Sequence, residues 1–342
     1  MTEQLDPLRS RLDDWIGEPL SGSGPSIAPD VVNVPMVRHW VDALDDRNPV
    51  YLNEDVAAAT RFGGVVAPPA MLQTWTMARP RIEGIAERGG AAVEISGDSA
   101  LGVLAHAGYT ATVATNSELE FVRYLRIGDL LASSAVLESI SEQKATSLGR
   151  GYFVTWVTTY TDDEGTALGR QRFRVFRFAP GGTATTPRTE GSGGSARRAL
   201  RPEGAEQTER GEELPTLRLN VTATVIVAGA IASRDFMPAH HDRDYAQAQG
   251  APDIFMNILT TNGYVSRYVT DWAGSEAMLR RIAIRLGAPA IPDSELCFNG
   301  HVSSQSRDGD EHLLEVTVRA VNDLGDHAAG TVELTLPVKP KG

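Results

Sequence analysis

Two segments of this 342-residue chain match at one constant offset, and that match constrains the fold more than any other feature. The first reads Asp46-Arg47-Asn48-Pro49-Val50-Tyr51, with Asn53 and Asp55 after it. The second reads Asp235-Phe236-Met237-Pro238-Ala239-His240, with Asp242 and Asp244 after it. Asp46 to Asp235 and Tyr51 to His240 are both steps of 189 positions, and an Asp and a Pro keep their places. Each segment follows an apolar stretch and precedes an Ala-rich one. Two copies of one fold are expected, with a histidine in the second copy where the first has a tyrosine.

Residues 180–214 separate the copies. The run PGGTATTPRTEGSGGSARRALRPEGAEQTERGEEL has almost no apolar content. It cannot bury enough surface to order itself, so a flexible linker is expected there. That leaves residues 1–179 and 215–342, both of ordinary domain size.

Each copy shows the same order of elements. In the second, a strand-like run at 217–227 leads through a loop to the polar cluster at 234–244. A helix is expected from about Asp253 to Trp272, where Ile254, Phe255, Ile258, Leu259, Val265, Tyr268 and Val269 share one broad face. Strands follow, with Ile282, Ile284 and Leu286, then Leu314, Val316 and Val318, then Val332, Leu334 and Leu336 in period-two alternation. The first copy has strands at 117–124, 130–140, 150–161 and 167–178. The fold class expected is α+β, an antiparallel sheet wrapped around a helix in each half. Between Tyr51 and Gly128 the first half carries extra length, with Gly89, Gly90, Gly102 and Gly108. Its helix is therefore expected to be shortened or broken, leaving room for a bulky ligand.

Composition sets outer limits. The net charge of −12 disfavours nucleic acid as a partner, which needs a basic footprint. No apolar run is long enough to span a membrane, and the acid-bearing N-terminus is unlike a secretory signal, so a cytoplasmic location is expected. Cys297 is the single cysteine, which leaves no intrachain disulfide and argues against a thiolate metal site.

Asp235 and His240 lie five residues apart across Pro238, on what should be a bent loop. A carboxylate and an imidazole there can converge on one water and act as base and acid. Taken alone, such a pair is more often a surface turn. His241 and Asp242 also raise a metal site, but with no third, distant ligand. The helix that follows should offer N–H groups to a developing oxyanion.

At these residues the chain resembles the MaoC-like, or type-2, enoyl-CoA hydratase family, whose pattern is Asp-x-Asn-Pro-x-His followed by a long hot-dog helix. The segments at 47–51, 66–71, 253–259 and 268–274 resemble the two subunits of actinobacterial steroid side-chain hydratases joined in one chain. The resemblance implies a double hot-dog fold and water addition to a bulky 2-enoyl-CoA by Asp235 and His240. It implies no metal or redox cofactor, coenzyme A being part of the substrate, and it places the Asn257 backbone N–H at the thioester oxygen. Met237 stands where the family has Asn, Asn257 near the place of a family glycine, and Tyr51 where a catalytic His would be, so the first half should be inactive. A homodimer is the expected assembly, and an aldolase- or thiolase-like protein is a candidate partner. A fatty enoyl-CoA hydratase or 3-hydroxyacyl dehydratase, a hot-dog thioesterase and a non-catalytic acyl-CoA-binding scaffold remain open as alternatives.

Arginines for the coenzyme A phosphates are sought on two strands, at Arg170, Arg172, Arg174 and Arg177 and at Arg280, Arg281 and Arg285. Alternation with apolar residues makes a solvated face the commoner explanation. Trp75, Trp156 and Trp272 read as packing residues.

Overall fold

The computed structural model describes residues 7–20, 24–179 and 211–338. The first half opens with a helix at Pro7–Asp13 (α1), a short strand at Ser26–Ile27 (β1) and a helix at Val34–Leu44 (α2). A single 3-10 turn at Pro49–Tyr51 and a short helix at Glu54–Ala58 (α3) follow. Two more 3-10 turns, Pro69–Met71 and Thr74–Thr76, lead into an irregular stretch and then a seven-residue helix at Ala100–His106 (α4). Its strands are Ala111–Phe121 (β2), Ala132–Ile140 (β3), Lys144–Thr146 (β4), Gly149–Thr161 (β5) and Ala167–Phe178 (β6).

The second half repeats the plan with Leu217–Val221 (β7), Ala223–Ala232 (α5), a 3-10 turn at Pro238–His240, Arg243–Ala248 (α6) and the long helix Ile258–Ala273 (α7). Its remaining strands are Met278–Leu286 (β8), Ser294–Asp308 (β9), Glu311–Asn322 (β10) and Gly325–Pro337 (β11).

All strands join one antiparallel sheet in the order β1-β3-β5-β6-β2-β8-β11-β10-β9-β7, with β4 on β5. Read inward from either end, the order gives the same sequence of equivalent strands. The halves meet where β2 pairs β8, from Asn116 opposite Arg285 to Glu120 opposite Arg281. Across this seam Arg281 joins Glu118 at 2.7 Å, and the Tyr124 hydroxyl accepts from the Leu279 N–H at 2.8 Å; Arg281 also reaches Glu333 of its own half at 3.0 Å. An edge that would otherwise be exposed to other chains is thus consumed internally.

The repeat holds in three dimensions at the same offset. Asn33 and Thr222, 189 apart, cap α2 and α5 by accepting from Met36 N–H and Val225 N–H. Asp45 (φ 48°) and Arg234 (φ 60°), again 189 apart, end those helices in the left-handed conformation. Asp46 N–H then bonds Val41 O at 2.8 Å, and Asp235 N–H bonds Ala230 O at 2.9 Å. Sequence-equivalent residues therefore build the same turn twice.

Helix α7 is the core helix, and all its residues except Asp271 and Ala273 are buried. Two glycines let other helices approach it. A Cβ at Gly263 would meet the Leu44 side chain of α2 at 2.3 Å, and a Cβ on Gly229 of α5 would meet Thr260 Oγ1 at 2.4 Å. Among the described residues the first half has no equivalent long helix; at the same offset stand the 3-10 turns Pro69–Met71 and Thr74–Thr76, and the seven-residue α4 comes later.

Three expectations need correction. Residues 217–227 are not one strand: the chain leaves the sheet after Val221 and turns into α5 at Ala223. This helix, ATVIVAGAIA, carries no charged or strongly polar side chain, so helical periodicity is invisible in it. Helix α7 starts at Ile258 rather than near Asp253, because Asn257 is extended and caps it. The expected linker covers residues 180–210, which lie outside the described residues, and 211–214, which do not fit it. Gly211 N–H bonds Val302 O, Leu214 N–H bonds Gly300 O, and Leu214 is buried.

Candidate active site

The loop after α5 carries both residues singled out by the repeat. Pro238 starts the 3-10 turn that lifts His240 inward, and His240 is only 4 % exposed. Its Nε2 lies 3.4 Å from Asp235 Oδ2. Its Nδ1 lies 2.7 Å from Phe255 O, which can only accept, so Nδ1 carries a proton and Nε2 is the nitrogen left to exchange one. The Phe255 ring packs edge-on to the imidazole at 5.1 Å.

Asp235 is held from two sides. Its Oδ1 accepts from Met237 N–H at 3.3 Å, and its Oδ2 accepts from Asn257 Nδ2 at 3.0 Å. The same Asn257 nitrogen reaches Ser233 Oγ at 2.9 Å, while Asn257 Oδ1 accepts from Thr260 N–H at 2.8 Å. Asn257 is thus the cap of α7 and the orienting partner of Asp235 at once. The side-chain role was not anticipated, although an Asn ahead of Ile-Leu-Thr-Thr is a recognisable cap signal.

Burial pushes the Asp235 carboxyl up, but the His240 charge and the hydrogen bonds from His240, Met237 and Asn257 reverse this and hold it below its ordinary value. Burial pulls His240 down, and Asp235 more than restores it, so the imidazole stays above its ordinary value. Both directions favour a carboxylate–imidazolium pair.

The first-half copy is a natural control. Asp46 Oδ1 accepts from Asn48 N–H at 3.0 Å in the same turn, but Tyr51 replaces the imidazole. With no imidazole in the place of Tyr51, burial dominates and raises Asp46 to about 6; Asp271 and Asp45 add to this, while Asn48 and Arg267 oppose it. The two turns share a geometry yet shift their aspartates in opposite directions, because His240 and Asn257 bond Asp235 and have no counterpart at Asp46.

Met237 matters through packing. In the first half Asn48 caps its turn by accepting from Val50 N–H; Met237 makes no such bond. Gly90, in the irregular first-half stretch at φ 84°, rests on Met237, and a Cβ there would lie 2.6 Å from Met237 Cγ. The stretch that replaces the missing helix thus covers the loop that bears Asp235. His241 bonds Phe236 O at 3.3 Å, and Asp242 caps α6 by accepting from Tyr245 N–H.

Most of the strand arginines are engaged elsewhere. Arg172 pairs with Glu138, Arg281 with Glu118 and Glu333, Arg174 lies over the Phe153 ring, and Arg177 bonds Thr112. Trp75 and Trp272 are buried in the core and Trp156 packs against Phe173. Among the described residues, no helix is long and apolar enough to cross a membrane.

Comparison with known proteins agrees with this architecture. The family model described as FAS1-like, dehydratase domain region, matches residues 26–171. A probable enoyl-CoA hydratase alpha subunit from Thermomonospora curvata is 45% identical over 177 residues, covering 52% of this chain and 53% of that protein. The chain therefore spans about half the length of this relative. The 3-oxo-4,17-pregnadiene-20-carboxyl-CoA hydratase beta subunit of Mycobacterium tuberculosis is 49% identical over 126 residues, 37% of this chain and 95% of that subunit. A solved MaoC-like dehydratase superposes with a TM-score of 0.68 at 22% identity, covering 96% of this chain and all of the other. The chain belongs to the FAS1-like, MaoC-like hot-dog dehydratase family, and its fold is the double hot-dog.

Proposed function

We propose that the chain hydrates a 2-enoyl-CoA thioester to the 3-hydroxyacyl-CoA, with Asp235 and His240 as the catalytic residues. The observation that carries this reading is the 3.4 Å approach of His240 Nε2 to Asp235 Oδ2 in a buried loop at the start of α7. A water hydrogen-bonded to both side chains from the substrate side loses a proton to the Asp235 carboxylate as its oxygen attacks the β-carbon. His240 Nε2–H delivers a proton to the α-carbon. Asp235 then carries the proton that His240 has lost, and transfer across the short gap restores the starting pair. No metal or redox cofactor enters these steps.

The thioester oxygen gains negative charge as water adds and needs fixed donors. First-turn N–H groups of a helix have no acceptor within the helix. Met256 N–H is used by Ala290 O and Thr260 N–H by the Asn257 side chain, so the backbone N–H groups of Asn257, Ile258 and Leu259 are the donors assigned to this task.

The acyl group is read as bulky and steroid-derived. Two points support this: the pregnadiene-carboxyl-CoA named for the Mycobacterium tuberculosis relative, and the irregular stretch that stands in the first half where a second core helix would fill the space. On this reading the first half binds the acyl group and the second performs the chemistry. Straight-chain enoyl-CoA is the rival substrate. Mass spectrometry of purified protein with a steroid side-chain enoyl-CoA and with crotonyl-CoA separates the two. Gain of one water mass on the steroid thioester is expected; faster gain on crotonyl-CoA reverses the assignment, and thiol release without water gain points to a thioesterase.

A further inference from the structure

A cavity of about 330 Å³ lies where the two halves meet beside the catalytic loop. Three basic residues line it from three separate segments. His39 comes from α2, Arg79 from the chain just after the Thr74–Thr76 turn, and Arg234 from the end of α5, directly before Asp235. Met36 and Ile231 supply apolar wall, and one acid, Asp30, also lines it, leaving the two arginines in excess.

Within the described residues, no hydrogen bond or ion pair engages the side chains of His39, Arg79, Arg234 or Asp30. That sets them apart from Arg61, Arg172, Arg218, Arg281 and Arg319, each of which is tied to a carboxylate. In a chain of net charge −12, two uncommitted guanidinium groups and an imidazole converging on one concave site form a local anion-binding feature. The left-handed backbone of Arg234, at φ 60°, ends α5 and brings this residue to the cavity wall while its successor enters the catalytic loop.

We propose that this cavity holds a phosphate group of the thioester's carrier, with Arg79 and Arg234 as the ionic contacts and His39 as a further N–H donor. The inference rests on the hydratase reading for the identity of the ligand, since coenzyme A carries both a 3′-phosphate and a diphosphate. The site is composite: neither half supplies both arginines, so an isolated half lacks it.

Calorimetric titration of the full chain with coenzyme A, dephospho-coenzyme A and inorganic phosphate tests this. Arg79→Ala and Arg234→Ala should each weaken coenzyme A binding by about 10-fold or more, the usual weight of a charged hydrogen bond. Arg319→Ala, an exposed arginine on β10 paired with Asp326, should leave it unchanged. Arg79 is exposed and outside any helix or strand, so its variant remains informative if Arg234→Ala folds poorly. Weaker, arginine-insensitive binding of dephospho-coenzyme A assigns the pocket to the 3′-phosphate; equal, arginine-sensitive binding assigns it to the diphosphate. Coenzyme A affinity that ignores both arginines overturns the proposal, as does a response confined to inorganic phosphate. Arginine-dependent binding without hydration of any enoyl-CoA would remove the hydratase reading and leave the pocket standing. Hydration with arginine-independent binding would do the reverse.

Discussion

Asn257 Nδ2 donates to Asp235 Oδ2 at 3.0 Å, so the residue that starts the core helix also aims the carboxylate of the preceding loop. Asn257→Ala removes a helix cap and an orienting bond together. It should lower stability by about 1 kcal/mol through the cap and reduce turnover as well. Asn257→Asp keeps a capping oxygen but sets a second carboxylate against Asp235. Its stability should recover while the acid limb of the rate profile moves to higher pH, because a like charge raises Asp235. Urea unfolding and a pH–rate profile on both variants check this; a pair of variants with identical profiles would refute the orienting role.

His240→Ala should abolish proton exchange at Nε2 while leaving the ligand-binding surfaces in place. Hydration is expected to fall by about 10²–10⁴-fold with acyl-CoA affinity retained within a few-fold. Steady-state kinetics alongside direct titration give both readings. Unchanged turnover would remove His240 from the chemistry.

The two Asp turns make opposite predictions for stability against pH. Asp235 is depressed in the folded chain, so its contribution is present above the unfolded carboxyl value and disappears as pH falls through the folded one. His240 is raised, so its contribution is full below the unfolded imidazole value and disappears as pH rises through the folded one. The pair therefore stabilises most between the two unfolded values, and His240→Ala should flatten the loss at the alkaline side of thermal melts.

Asp46 behaves in reverse. It is raised from 3.8 to about 6, so the folded chain holds its proton longer than the unfolded one and loses stability between those two values as pH rises. Asp46→Asn, whose Oδ1 can still accept from Asn48 N–H, should stabilise the chain at pH 7–8 by an amount on the order of 1–3 kcal/mol, with little effect near pH 4. Melting temperatures at the two pH values measure the difference, and an Asn variant less stable than the parent at neutral pH would contradict it.

Gly90→Ala places a methyl group 2.6 Å from Met237 Cγ at a backbone angle that disfavours any side chain. A loss of about 1–3 kcal/mol is expected. Combining it with Met237→Ala should recover the part due to the clash, and a double-mutant cycle reports the coupling. Additive effects would mean that the first-half stretch does not bear on the loop that carries Asp235.

Much of this arrangement could be read from residues. Alternating Leu314, Val316 and Val318 announced β10, and the step of 189 from Tyr51 to His240 located both turns before any fold was known. Helix α5 escaped because a helix apolar all round has no periodic face, and its valines and isoleucines look like a strand. Its equivalence to α2, where Asn33 and Pro35 mark a helix start, was the available clue. The second role of Asn257 was unreadable for a different reason. Its contact with Asp235 spans 22 positions and depends on the angle at which α7 meets the loop, a tertiary quantity that local pattern does not encode.

The pairing of β2 with β8 has a consequence for heredity as much as for shape. Each Asp235–His240 turn is made in one chain with a turn bearing Tyr51, so neither half can be produced in excess of the other. Changes in the covering stretch near Gly90 and in the loop around Met237 pass on together in one reading frame, which lets the two surfaces drift in step.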